Sequence, residues 1–99
     1  KAAAQGNADA QFNLGVDYRH GQGVPQDYAK ANYWYQKAAA QGFADAQNNL
    51  GNDYYNGWGV PQDTMRAIYW WHKAAAQGIQ LAAHNIQIVE HGTMSGNGN

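Results

Sequence analysis

Four histidines, seven acidic residues and two glycine-rich stretches are the groups in this chain that could carry chemistry. Their spacing argues against each obvious use. His84 and His91 lie seven apart and could share a helix face, with His20 approaching from another part of the chain. No i, i+4 histidine pair and no His-Glu-x-x-His occurs, so surface histidine is the default and no metal is expected. Six aspartates recur as pairs, Asp9/Asp45, Asp17/Asp53 and Asp27/Asp63, each separated by 36 residues. That pattern suits helix caps and first-turn charges better than a lone functional acid. Gly21-Gln22-Gly23-Val24-Pro25-Gln26 and Gly57-Trp58-Gly59-Val60-Pro61-Gln62 invite a phosphate-binding reading. Neither has the Gly-Lys-Ser/Thr ending or a preceding strand, so both read as structural turns. No Ser/His/Asp set and no carboxylate pair recommends itself. An enzyme is not expected, and no catalytic residue or cofactor is assigned.

The elements that must position these residues follow from one motif. Lys-Ala-Ala-Ala-Gln-Gly occurs at 1–6, 37–42 and 73–78, a 36-residue period that makes the chain a repeat array. Gly6, Gly42 and Gly78 are expected to stop helices, because glycine tolerates the left-handed conformation just past a helix end. A helix is expected from about Ala8 to His20, with Asn7 as N-cap and Ala10, Leu14 and Tyr18 on one stripe. Gly15 beside Leu14 lowers helix propensity by about 1 kcal/mol, for which a close helix–helix approach is the expected compensation. After the glycine turn and Pro25, Asp27 is placed to cap a helix over Tyr28 to Gln41, with Ala31, Trp34 or Tyr35, and Ala38 as its stripe. The second period repeats these features, with Ala46, Leu50, Gly51 and Tyr54, then Ala67, Trp70 and Ala74. A third begins with Ala82 and Ile86 and then loses the pattern. Trp34, Trp70, Tyr18 and Tyr54 recur and are expected in the core, and truncating either tryptophan is expected to cost about 3–5 kcal/mol.

Composition bounds the rest. Ninety-nine residues make one domain, near the small end for a self-sufficient core. A net charge of −1 provides no basic footprint for nucleic acid or an acidic membrane. Asparagine and glutamine supply 21 residues against 13 charged ones, which suits hydrogen-bonding contacts better than electrostatic steering. The absence of cysteine excludes a disulfide framework and a thiol nucleophile and leaves the redox compartment open. Apolar runs reach at most five residues, at Ala67 to Trp71, so no membrane insertion is expected. Lys1 begins in mid-repeat, as expected of a segment from a longer protein, and localisation stays open between cytoplasm and periplasm or secretion. The expected organisation is a single repeat domain over 1–99. Residues 1–6 end a preceding helix, 7–42 and 43–78 are full repeats, 79–92 is the first helix of a partial third, and 93–99 is a frayed tail.

The pattern Ala-x-x-x-Leu-Gly-x-x-Tyr-x-x-Gly-x-Gly-Val-x-x-Asp-x-x-x-Ala-x-x-Trp-x-x-x-Ala-Ala-x-x-Gly closely resembles the Sel-one-like repeat (SLR), a relative of the tetratricopeptide repeat. The resemblance covers about Lys1 to His91. It implies an all-α fold, an α/α right-handed superhelical solenoid of stacked antiparallel helix pairs whose core forms between neighbours. It also implies a scaffold or adaptor that binds proteins or peptides, and many bacterial members are linked to the envelope or to secretion. Asp17 and Asp53 depart from the family, which usually has an apolar residue there. A buried unpaired carboxylate is costly, so each is expected to reach solvent or to pair with Tyr, His or Asn.

Residues that differ between periods are the candidates for recognition. With Leu14 as the core direction, the opposite side of the first helix carries Phe12, Val16, Arg19 and His20, alongside Asp9. The counterparts are Asn48, Asn52, Tyr55 and Asn56 alongside Asp45, then His84 and Ile88 alongside Leu81 and His91. By resemblance, this side lines the concave groove of the superhelix. Trp58 stands where the first period has Gln22, so the fold does not demand an aromatic there, and it is either incidental or a loop contact. The favoured reading is a groove that binds a protein or peptide. The alternatives are an inhibitor or immunity-type protein covering one toxin or enzyme, a glycan-binding domain using Trp58 and Tyr55, and a bare spacer. Self-association through exposed array ends is also expected.

Overall fold

The computed structural model describes residues 6–91, and every element among them is helical. The order is α1 (Ala8–His20), α2 (Tyr28–Ala40), α3 (Ala44–Asn56), α4 (Thr64–Ala76) and α5 (Gln80–Glu90). The expected helix end at 1–5 and the expected tail at 93–99 fall outside the described residues. Among those described, no helix is long and apolar enough to cross a membrane.

Each boundary has a local cause. Asn7 accepts from the Ala10 N–H at 2.8 Å, and Asp27 and Asp63 accept from the Lys30 and Arg66 N–H at 3.0 and 3.1 Å. α2 and α4 end at glycines with left-handed backbone, Gly42 at φ 88° and Gly78 at φ 97°. The Phe43 N–H closes back on the Ala38 carbonyl at 3.2 Å, which satisfies an otherwise orphaned acceptor. The glycine-rich turns also spend their amides on helix ends. Gln22 and Trp58 donate to the Asp17 and Asp53 carbonyls at 2.9 Å, and Asp27 and Asp63 donate to the Tyr18 and Tyr54 carbonyls at 2.8 Å.

Consecutive helices pack against each other, α1 on α2, α2 on α3, α3 on α4 and α4 on α5, which makes an α/α solenoid of helix pairs. The core runs through the junctions: Ala31, Tyr35, Ala38 and Ala39 from α2, Ala46, Leu50 and Tyr54 from α3, Ala67, Trp71 and Ala74 from α4, and Ala82 and Ile86 from α5. The glutamine of Lys-Ala-Ala-Ala-Gln-Gly acts as a clasp within each repeat. Gln41 donates to Gln11 Oε1 at 2.8 Å, and Gln77 donates to Gln47 Oε1 at 3.0 Å.

Two expectations about the core need correction. The deeply buried aromatics are Tyr35 and Trp71, one residue beyond Trp34 and Trp70, which are only partly covered. The cause is the glycine opposite. A Cβ on Gly15 would stand 2.7 Å from Tyr35 Cδ1, and one on Gly51 would overlap the Trp71 indole, so each glycine makes a recess that the ring fills. The close approach is as expected, but the large truncation cost belongs to Tyr35 and Trp71. Leu14 also does not mark the core direction of its own pair. Its equivalent Leu50, with a helix pair before it, is fully buried, whereas Leu14 is half-buried, and α1 has no preceding pair among the described residues. The first helix of each repeat therefore has two buried sides, one toward the preceding pair and one, through Gly15 or Gly51, toward its own partner.

Candidate functional site

That geometry changes how the candidate residues lie. Phe12 and Val16 flank the Gly15 side and are half-buried. The Phe12 ring packs on Tyr35 and Phe43, with centroids 5.7 and 5.1 Å away. His20 sits at the exposed end of α1, its Nδ1 3.1 Å from the Val16 carbonyl. Asn48 is half-buried, and its Oδ1 is shielded with no hydrogen-bond partner among the described residues. His84 is exposed on α5.

Arg19 turns inward. Its Nη1 reaches Asp53 Oδ1 at 3.1 Å across the junction of the two repeats, and Asn32 Nδ2 donates to the other carboxylate oxygen at 3.4 Å. Burial pushes the Asp53 carboxyl up from 3.8 to about 6, even though Arg19 and the hydrogen bonds pull it down. Burial also raises the neighbouring Tyr35 hydroxyl above its ordinary value. Among the described residues that hydroxyl has no hydrogen-bond partner of good geometry, although Arg19 and Asn49 stand close enough to oppose the shift. Asp53 thus pairs as expected with an asparagine, but its main partner is an arginine 34 positions away. Asp17 stays partly exposed. Trp58 belongs to the same junction: it stacks on Tyr28 with centroids 6.2 Å apart, and the Arg19 guanidinium lies 4.8 Å from its ring.

One repeat further along, the same four positions carry Tyr55, Ile68, Trp71 and Val89 in place of Arg19, Asn32, Tyr35 and Asp53. A polar junction is followed by an apolar one. Tyr55 rests against Trp71 at a centroid distance of 5.5 Å and does not reach across. An open cleft of about 260 Å³ results between α3 and α5. Tyr55, Ile88 and Val89 wall it, Trp71 borders it from α4, and Asn52, Asn56 and Asn85 supply its polar rim. Asn52 Oδ1 accepts from Trp71 Nε1 at 3.2 Å and from Asn85 Nδ2 at 3.4 Å, while Asn56 Nδ2 donates to the Asn52 carbonyl at 2.9 Å.

Of the residues expected to form the recognition face, the cleft brings together Asn52, Tyr55, Asn56 and Ile88. Phe12, Val16, Arg19, His20, Asn48, His84 and the loop residue Trp58 lie outside it. Sequence reasoning missed Trp71, Asn85 and Val89. Asn85 repeats Asn13 and Asn49, so a search for differences between periods passes over it. Val89 was available as a signal, because it replaces the aspartate of the two earlier periods.

The arrangement offers hydrogen-bonding amides and apolar walls, without a nucleophile–base pair. Among the described residues no group of three or more His, Cys, Asp or Glu side chains is placed to hold a metal ion. The nearest mixed pair is His72 Nε2 and Glu90 Oε2, 3.5 Å apart on an exposed surface.

Comparison with known proteins agrees with the repeat geometry. The chain is similar to a Sel1 repeat protein from Oxalobacter formigenes, 43% identical with a TM-score of 0.85, over 87% of this chain and 65% of that one. It is also similar to a protective antigen of uropathogenic Escherichia coli strains that displays an SLR fold, 40% identical with a TM-score of 0.86, over 91% of this chain and 19% of that one. The chain therefore spans less than two thirds of either structure. No curated protein matches it. The family model of the Sel1 repeat matches residues 8–43 and 44–79, each span holding one glycine-recessed helix pair, and the chain belongs to the Sel1 repeat family.

Proposed function

We propose that this segment is a non-enzymatic scaffold module that binds a protein or peptide along the side of α1, α3 and α5 where the repeats differ. Sel1 repeat proteins are generally protein-interaction scaffolds, and that is the background for the reading. The observation that carries it is the α3–α5 cleft. Four of the residues singled out because they break the repeat symmetry meet there, with Tyr55 and Ile88 left 38% and 41% exposed beside three asparagines. A residue that maintains the frame recurs in type one period away, whereas these change between periods. Exposed apolar side chains rimmed by amides are the composition of a contact surface.

The face carries few unpaired charges, since Arg19 is committed to Asp53. Affinity is then expected to depend weakly on salt, unlike a phosphate- or acid-clamping module. The test is capture of partners by the chain and by an Asn56→Glu/Ile88→Glu variant, whose two positions are exposed and should tolerate charge without unfolding. A folded variant that loses a captured partner by tenfold or more is the expected result. A folded variant that captures every partner as well as the parent overturns the assignment.

A further inference from the structure

The cleft between α3 and α5 is not produced by the repeat frame, and its chemistry narrows what can enter it. At the equivalent place between α1 and α3 the Arg19–Asp53 ion pair spans the junction. Tyr55 and Val89 replace that pair and leave about 260 Å³ open. Small-molecule sites are generally about 300–1,000 Å³ and enclose most of their ligand. This cleft falls below that range and is open on one side, so it suits a single side chain of a larger partner. None of its lining residues is charged. Placing an ionised group against these uncharged walls without a counterion carries a desolvation cost, which disfavours acidic and basic anchors.

The rim sets a second requirement. A primary amide offers two donors and an acceptor with two lone pairs. Within the structure Asn52 uses its Oδ1 twice, Asn85 uses only its Nδ2 and Asn56 only its Nδ2. Asn52 Nδ2, Asn85 Oδ1 and Asn56 Oδ1 therefore have no partner among the described residues. One donor and two acceptors beside an apolar slot complement a main-chain peptide unit, which presents both a C=O and an N–H flanking its side chain.

Resting on the scaffold reading, we propose that the cleft takes one uncharged apolar side chain from an extended peptide segment. The free amide atoms of Asn52, Asn56 and Asn85 hold the peptide groups on either side. Each repeat junction in an array then either closes by a polar cross-link or opens into such a slot, according to the four residues found at it.

The test titrates the 99-residue chain with N-acetyl-leucine N-methylamide and follows Asn52 and Asn85 side-chain amides and the Trp71 indole N–H by two-dimensional NMR. Saturable shifts at those groups are expected, at least fivefold weaker with N-acetyl-glycine N-methylamide and at least fivefold weaker in an Asn85→Ala variant. 3-Methylbutan-1-ol, which has the apolar branch without the peptide groups, is expected to bind no better than the glycine compound. Absent shifts, equal binding of the alcohol and the blocked leucine, or an unaffected Asn85→Ala variant would each overturn the proposal. If the blocked leucine fails while Asn56→Glu/Ile88→Glu still abolishes capture, the scaffold reading stands and this inference falls alone.

Discussion

Lowering the pH from about 7 to about 4 is expected to stabilise this fold through Asp53, a direction opposite to that of most aspartates. A surface-paired aspartate has a depressed pKa and loses stability in acid. Asp53 is 2% exposed, and burial raises its carboxyl from 3.8 to about 6 despite Arg19. The native chain holds this proton up to about pH 6, whereas the unfolded chain releases it near 3.8. Between the two values the folded state binds more protons, so stability falls as the pH rises through the window and levels off above it. At about 1.4 kcal/mol per pKa unit the full effect is about 3 kcal/mol, a large share of the roughly 5–15 kcal/mol that holds a typical domain together. Urea denaturation followed by helical circular dichroism at a series of pH values measures it, with Asp53→Asn as the non-titrating reference. The stability of the parent relative to Asp53→Asn should fall by about 3 kcal/mol between about pH 4 and pH 7. A difference that stays flat, or grows as the pH rises, refutes the reasoning. Arg19→Met adds a second check: it strands the carboxylate, so it should cost about 3–5 kcal/mol at neutral pH and recover much of that at pH 4.

Two further outcomes test the packing. Gly51→Ala should destabilise the chain although alanine is the better helix former. The propensity gain is about 1 kcal/mol, and the overlap with the Trp71 indole should cost about 1–3 kcal/mol or more, so a raised urea midpoint would show that the indole can move aside. Recasting the first junction as the second, with Arg19→Tyr, Asn32→Ile, Tyr35→Trp and Asp53→Val together, should leave stability equal or higher by about 1–4 kcal/mol at neutral pH. It should also abolish the acid stabilisation, and a large loss would mean that the two junctions are not interchangeable.

The frame was legible because it repeats. The 36-residue period, the glycine stops and the Asp27 cap all follow from local backbone chemistry, and the expected spans of α1 and α2 match the observed ones to within a residue, whereas the expected 79–92 overruns α5 by one residue at its start and two at its end. The choice between Trp34 and Tyr35 was not legible by helix phase, because adjacent positions both border the apolar stripe. Gly15 decides it from the other helix, 20 residues before Tyr35, and Gly51 stands in the same relation to Trp71. The Arg19–Asp53 pair was hidden for a similar reason, since helical periodicity relates neighbours along one helix and not side chains 34 positions apart. Its trace in the sequence is a joint change. All four junction positions turn from Arg, Asn, Tyr and Asp to Tyr, Ile, Trp and Val in a single period. Reading outward from Leu14 placed Phe12 and Val16 on the recognition face, but the second buried side of α1 draws both against the core.

Site-specific photo-crosslinking tests the recognition surface most directly. A benzoylphenylalanine at position 56 borders the α3–α5 cleft, and one at position 69 takes the place of the exposed Tyr69 on α4, which is outside it. The expected result is a discrete partner adduct from position 56 and none from position 69. Adducts from position 69 alone would contradict recognition through this face.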